Sequence, residues 1–294
     1  MTELFEREEL LNMMAGACDC HHHIIDVNNY PINSSQNINF ESATVEDYQE
    51  LKDKLGIKRN VIISVAAYGY DNRNIIAALK KMGYENTRAV ITLKDDVTDE
   101  ELKYYHNLGV RGVRIWNRFP NSIDYMEKLA YKIEKFNWHM CIVPCSADDI
   151  VEYKDRFSNL PCQLVFDHMG FIPPEDGIKQ KAFDIIKTLI LNNQAWVKIS
   201  GIYYLDKAPE YSKNVELSRR FVDINPDRVL WGTDWPHIGN MVKGCPALKD
   251  NFKATEQKSS VSDILLVKKL MEQVPDSGIR HKILVENPER LYGF

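Results

Sequence analysis

Three short stretches of the 294-residue chain carry groups with useful chemistry at spacings a strand can present. The first is Asp19-Cys20-His21-His22-His23. Alternate residues of a strand point to one face, so His21 and His23 project two imidazoles to the same side while His22 points the other way. A single core histidine is ordinarily a satisfied structural group, but two at this spacing near a strand's end are expensive to bury without a purpose. The second stretch is Phe166-Asp167-His168-Met169-Gly170, an apolar strand running into an acid and an imidazole before a glycine-containing loop. The third, Val229 to His237 (VLWGTDWPH), again ends an apolar strand in a carboxylate, Asp234. The plainer reading of Asp234 is a turn-forming or helix-capping residue. Imidazoles and a carboxylate gathered around one cavity are equipped to hold a divalent ion, or to polarise a carbonyl and move a proton.

Those residues need elements that bring them together. Short apolar runs rich in β-branched residues recur at 17–25, 60–68, 88–93, 110–116, 139–144, 162–168, 195–200 and 228–234. Between them lie amphipathic segments such as SATVEDYQELKDKLG and KQKAFDIIKTLILNN, several ending in the Gly or Asn that terminates helices. Near-continuous hydrophobicity marks strands covered on both faces, and the alternation is that of βαβ units around a parallel sheet. No G-x-G-x-x-G loop follows the first strand, which removes the main support for dinucleotide binding. The expected fold is therefore an α/β protein, a single (β/α)8 TIM barrel forming one domain over residues 1–294, with chemistry at the C-terminal ends of its strands. The irregular stretch from about 237 to 260 overhangs that face in such a barrel and is a candidate lid.

Composition narrows the partners. Hydrophobic residues make up 44% and charged residues 27%, the balance of a globular protein with a sizeable core. Thirty-seven Lys and Arg against 42 Asp and Glu give a net charge of −5 without long like-charged runs, so nucleic acid is not an expected partner. No run approaches a membrane span and the acidic start lacks the basic flank of a secretory signal, which makes the cytoplasm the expected location. Six scattered cysteines show no C-x-x-C clip, and those in strands read as small buried hydrophobes. Homo-oligomerisation is left open.

Taken together, D-x-H-x-H at 19–23, R-G-V-R at 111–114, D-H-M-G at 167–170, W-V-K-I-S-G at 196–201, W-G-T-D-W-P-H at 231–237 and N-P-E-R-L-Y-G-F at 287–294 resemble the amidohydrolase-2 family. The likeness is to its lactonase branch, which includes 2-pyrone-4,6-dicarboxylate lactonase and sugar lactonases. The resemblance implies an amidohydrolase-like barrel whose paired histidines are His21 and His23, whose sixth-strand histidine is His168 and whose eighth-strand aspartate is Asp234, with Arg114 at the end of the fourth strand. It implies mixed metal use: the four residues His21, His23, His168 and Asp234 hold one divalent ion, zinc or manganese, in some members, while others work metal-free. Pyrone-dicarboxylate members grip two carboxylates with further arginines after the D-H-M-G motif and around the fourth and seventh strands. Here Phe171 and Tyr203-Tyr204 stand there, which predicts a less anionic substrate, with Arg118 as a candidate replacement.

The expected activity is a hydrolase that opens a lactone or related small cyclic ester. Asp234 takes a proton from water and returns it to the leaving alkoxide, while His21, His23 and His168 polarise the carbonyl directly or through the ion. Arg114 orients a substrate carboxylate or supports the oxyanion, its plainer reading being a barrel-mouth ion pair. Tyr68, Trp116, Tyr203, Tyr204 and Trp235 are candidates to line a ring-accepting pocket, joined by His237. No histidine stands at the end of the fifth strand, since His139 begins it, which disfavours a binuclear centre. The alternatives are a metal-dependent decarboxylase of a small unsaturated or aromatic carboxylic acid, a lactone isomerase, and a barrel that binds a ligand without turning it over.

Overall fold

The computed structural model describes residues 2–32, 41–116, 123–238 and 261–294. Its centre is eight parallel strands in sequential order: β1 (Cys18–His22), β2 (Arg59–Ile63), β3 (Thr87–Ile91), β4 (Val110–Trp116), β5 (His139–Val143), β6 (Leu164–Phe166), β7 (Ala195–Lys198) and β8 (Val229–Leu230). The sheet closes on itself just past the end of β8. Cys20 N donates to Trp231 O at 3.0 Å, Asp234 N to His21 O at 2.7 Å and His23 N to Trp235 O at 2.8 Å. Only glycine fits at 232 in this seam, because a Cβ there would lie 2.5 Å from the His21 nitrogen. The result is a (β/α)8 TIM barrel.

Helix α1 (Thr2–Met13) precedes the barrel, and α2 (Val45–Leu55), α3 (Arg73–Met82), α4 (Asp99–Asn107), α5 (Met126–Glu134), α6 (Ala147–Glu152), α7 (Lys154–Ser158), α8 (Lys181–Leu191) and α9 (Ser212–Ile224) fill the connections between strands. Capping boxes open α2, Thr44 with Asp47, and α4, Thr98 with Glu101, where side chains satisfy backbone groups the first turn leaves open. The chain ends in α10 (Asp263–Gln273), α11 (Ser277–His281) and α12 (Asn287–Tyr292). Leu55, Ile62, Leu79, Ile91, Leu102, Val113 and Ile133 belong to the core between strands and helices.

Inside the barrel a second cluster joins Cys18, Cys20, Val61, Ile63, Val90, Cys141, Val165, Trp196 and Leu230, with Tyr292 of α12 closing the end where the strands begin. His139 is buried at that same end, 5.3 Å from the Tyr292 ring, as its place at the start of β5 implies. Cys18, Cys20, Cys141 and Cys162 are free and buried. Among the described residues no helix is long and apolar enough to cross a membrane.

All eight strands expected from the sequence are present, but all except β4 end before the expected residue, and at three of them the backbone visibly turns away. The segment 60–68 leaves the ladder after Ile63 and turns through a 3₁₀ element at Ala66–Tyr68. β6 ends at Phe166, after which His168, Met169 and Gly170 adopt φ of 49°, 54° and 67°. β8 ends at Leu230, and Asp234 and His237 have φ of 61° and 65°. At β6 and β8 the backbone departs from the extended form just where the polar side chains enter the mouth of the barrel. Left-handed backbone at non-glycine residues costs energy that packing elsewhere must outweigh, and it recurs at functional sites. Arg118, and the candidate lid from residue 239 onward, lie outside the described residues.

Candidate active site

His21 and His23 reach the barrel mouth from β1, but strict alternation does not explain it. Cys18 and Cys20 already face the interior, and the pairing of β1 with β2 shifts register between Asp19 and His22, so that Cys20 and His21 both point inward. His22 faces outward, stacked on Tyr48 of α2 at 3.6 Å with its Nε2 2.9 Å from Asn60 Oδ1. The irregularity raises the interior imidazoles toward the strand end.

Around them the four residues singled out in the sequence converge. Asp234 Oδ1 lies 3.3 Å from His21 Nε2, 3.5 Å from His23 Nε2 and 3.8 Å from His168 Nε2, and all four residues are buried. The second ring nitrogens are anchored: His23 Nδ1 to the Ile63 carbonyl at 2.9 Å, and His168 Nδ1 to Ser200 Oγ at 3.1 Å. Gly201 makes room for the latter, since a Cβ there would lie 2.5 Å from His168 Nδ1. On the other side of Asp234, Tyr203 donates to Oδ2 at 2.5 Å and the Tyr204 phenol also bonds the carboxylate.

Beneath the imidazoles lies a charged floor. Asp167 Oδ1 is 3.0 Å from Lys198 Nζ and 3.3 Å from His21 Nδ1, and its Oδ2 accepts from Arg114 Nη2 at 3.1 Å. Lys198 Nζ also lies 3.2 Å from His21 Nδ1, and Cys141 Sγ donates to Asp167 Oδ1 at 3.1 Å. Arg114 spends Nη1 on the Ser64 carbonyl at 2.6 Å and its guanidinium covers Trp116 at 4.3 Å, while its buried Nε has no partner. Lys198 and Asp167 had no role in the sequence reading. The available signal was a lysine in the inward register of the apolar run W-V-K-I-S, because a buried ammonium requires a buried anion.

The electrostatics follow from burial. Desolvation pushes the His21 imidazole well below its ordinary value and lowers His168 too, so both are neutral near pH 7 and have lone pairs available. Burial works against the Asp234 charge, but the imidazoles of His168, His23 and His21 outweigh it and hold the carboxyl well below the usual range. Asp167 is likewise kept ionised against burial, by Lys198, His21 and Arg114.

The remaining predicted contacts divide. Tyr203 and Tyr204 stand against Asp234, and Tyr204 and Phe171 pack on the His168 ring at 4.9 and 5.2 Å. Tyr68 and Trp235 pack instead with the cluster of Ile25, Ala43 and Val65 beside the first two strand ends. His237 lies behind Tyr203, with both ring nitrogens engaged by Tyr203 and Asp263.

Three imidazoles and a carboxylate are a donor set for a divalent ion, and His21, His168 and Asp234 stand close enough together to share one, with His23 beside them. His21 Nε2 and Asp234 Oδ1 are both buried without a hydrogen-bond partner, although they face each other. Separations of 3.3–3.8 Å are long for hydrogen bonds, yet two ligands each about 2.1 Å from a tetrahedral zinc stand ~3.4 Å apart. The ligand atoms of His21, His168 and Asp234 all lie within 4.8 Å of one another.

A TIM barrel with paired histidines on its first strand, a histidine after its sixth and an aspartate after its eighth defines a class, and the amidohydrolase family pattern matches residues 18–294. The chain belongs to that family. It is 34% identical over 294 residues to the "2-pyrone-4,6-dicarbaxylate hydrolase" of Comamonas testosteroni, covering 95% of this chain and 90% of that one. It is 29% identical over 289 residues to the "4-sulfomuconolactone hydrolase" of Hydrogenophaga intermedia, covering 96% and 90%. A crystal structure of an Agrobacterium tumefaciens protein without ligand has the same fold, with a TM-score of 0.81 at 24% identity over 95% of this chain and 96% of that one.

Proposed function

We propose that the protein is a hydrolase that opens a lactone or related small cyclic ester, with Asp234 as its proton carrier. The observation that carries this reading is Asp234 Oδ1: a buried, ionised carboxylate oxygen with no hydrogen bond, ringed by three imidazole nitrogens. The names of the two curated relatives, both hydrolases and one of them of a lactone, support the same class.

Asp234 Oδ1 accepts a proton from water as its oxygen attacks the ring carbonyl, and returns that proton to the ring oxygen as the carbon–oxygen bond breaks, leaving a hydroxy acid. Tyr203 and Tyr204 hold the other oxygen, so that one lone pair is presented to the reacting atoms. The imidazoles of His21, His23 and His168 face the carbonyl oxygen and favour its developing negative charge where a ring N–H, or a cation that the rings hold, points at it. A divalent ion at His21, His23, His168 and Asp234, zinc or manganese by ligand type, would supply Lewis acidity there. Arg114, rigid between Asp167, Ser64 and Trp116, keeps its Nε–H for a substrate carboxylate or the oxyanion. Tyr204, Phe171 and Trp116 offer an aromatic wall to the ring.

The test is a panel of sugar lactones, muconolactones and pyrones followed with a pH indicator, on protein whose metal content has been measured by elemental analysis, before and after chelation. Acid release from at least one lactone is expected, with loss on chelation and recovery with zinc or manganese. Turnover of no lactone, or carbon dioxide release in place of acid, would overturn the assignment.

A further inference from the structure

Asp234 is held on its outer oxygen by a chain of side chains whose far members take no part in the chemistry above. Tyr203 donates to Asp234 Oδ2 at 2.5 Å, the Tyr203 phenol oxygen is 3.3 Å from His237 Nδ1, and His237 Nε2 is 3.0 Å from Asp263 Oδ1. Tyr203 and His237 are buried, while the Asp263 side chain, at the first residue of α10, is 19% exposed. The two rings meet edge to face, with centroids 5.2 Å apart at 89°. A phenol that gives its one proton to Asp234 can only accept from its other neighbour, so His237 Nδ1 must carry the hydrogen between them. Asp263, on the opposite nitrogen, fixes the plane of the ring. The His237 backbone N–H also donates to the Asp234 carbonyl at 2.8 Å, so one residue braces the aspartate at main chain and side chain together.

We propose that His237 and Asp263 are positioning residues for Asp234, acting through Tyr203: they lock Oδ2 into the Tyr203 hydrogen bond and thereby leave Oδ1 as the oxygen that faces the imidazoles. This rests on the hydrolase reading of the site. It differs from the sequence expectation, in which His237 touches substrate, because both of its ring nitrogens are already spent. It also gives Asp263, at the start of α10, a part in the site through its contact with His237.

The test combines turnover with structure. His237→Leu and Asp263→Asn are each expected to lower kcat, His237→Leu by about tenfold, with KM little changed, because they disturb the carboxylate and not the substrate's contacts. His237→Gln, whose amide can still donate to Tyr203, is expected to restore part of the loss. In a Tyr203→Phe background, where the link is cut, His237→Leu is expected to cost nothing further, since a residue acting only through another is silent once that other is gone. A rise in KM at constant kcat, or full independent losses in the double variant, would overturn the proposal in favour of direct substrate contact. A crystal structure of His237→Leu gives a readout free of any substrate: the Asp234 carboxylate is expected to rotate or lose Tyr203, and an unmoved Asp234–Tyr203 pair would overturn the proposal. Inactivity of the wild type on every lactone would count against the hydrolase assignment alone, because this structural readout still stands. Asp263→Asn, at a partly exposed side chain, keeps the test open if the buried substitution prevents folding.

Discussion

Asp19, on β1, and Asp234, just past β8, are the same residue type, equally buried and close to the seam of the barrel, yet their surroundings are opposite. Asp19 Oδ1 accepts from His21 N at 3.1 Å and Thr233 N at 2.9 Å, and its Oδ2 from Thr233 Oγ1 at 2.6 Å and Tyr48 OH at 3.0 Å. Every donor direction is filled. Asp234 has one satisfied oxygen and one that faces three imidazoles with no bond at all. Since a buried acceptor without a partner costs on the order of 1–3 kcal/mol, an orphan oxygen is retained where something else supplies the partner. The acid of the D-x-H-x-H motif is therefore a staple between β1 and the end of β8, whereas Asp234 keeps one oxygen open, as the proton carrier proposed above requires.

The contrast is broken most directly by substitution at Asp234. Asp234→Asn is expected to cut kcat by ~10³-fold while leaving thermal stability near wild type, because it removes the proton acceptor without emptying space. Near-native turnover would end the distinction between the two acids. Asp19→Ala should show the reverse: a loss of about 3 kcal/mol in denaturant unfolding as the donors of Thr233, His21 and Tyr48 lose their acceptor, with activity per folded molecule largely kept. Equal damage to turnover would mean that Asp19 belongs to the chemistry.

A third outcome concerns pH. Burial raises the Asp19 carboxyl to about 6, although bonds from Thr233, His21 and Tyr48 pull the other way. A folded value above the unfolded one of about 3.9 means that this group's contribution to stability is fully present below pH ~4 and is lost as pH rises through about 6, a span worth up to about 3 kcal/mol. Asp19→Asn, whose amide can still face the two hydroxyls, should flatten that part of the stability profile. An identical pH dependence in wild type and variant would assign it to other groups. The smallest effect is expected from Thr233→Val, which removes one donor to Asp19 and costs about 1 kcal/mol of stability, measurable as a shift in the denaturation midpoint at unchanged slope.

Much of the site was legible before any coordinates. His21 and His23 announce themselves by spacing, and His168 and Asp234 by ending apolar strands, because a parallel barrel collects strand ends at one mouth. The register shift in β1 was not legible: the expected alternation carries His22 outward correctly, but it puts Asp19 on the face of His21 and His23, and it does not say that Cys20 and His21 both turn inward. Nor was the charged floor, since Arg114 stands on β4, Asp167 just after β6 and Lys198 on β7, and they are neighbours only after the barrel closes. His237 looked like a substrate contact for the same reason; its partner Asp263 is 26 residues further along the chain.

By itself, then, the sequence determined the order of strands and helices and the candidate histidines and aspartate that the barrel gathers at its mouth, because hydrophobic periodicity and residue chemistry are local properties. The tertiary structure decided which oxygen of which aspartate is left unsatisfied, which nitrogen of each histidine is free, and which cations neutralise the floor. Those outcomes depend on hydrogen-bond directions and distances of a few ångströms between strands far apart in the chain, and only the closed barrel sets them.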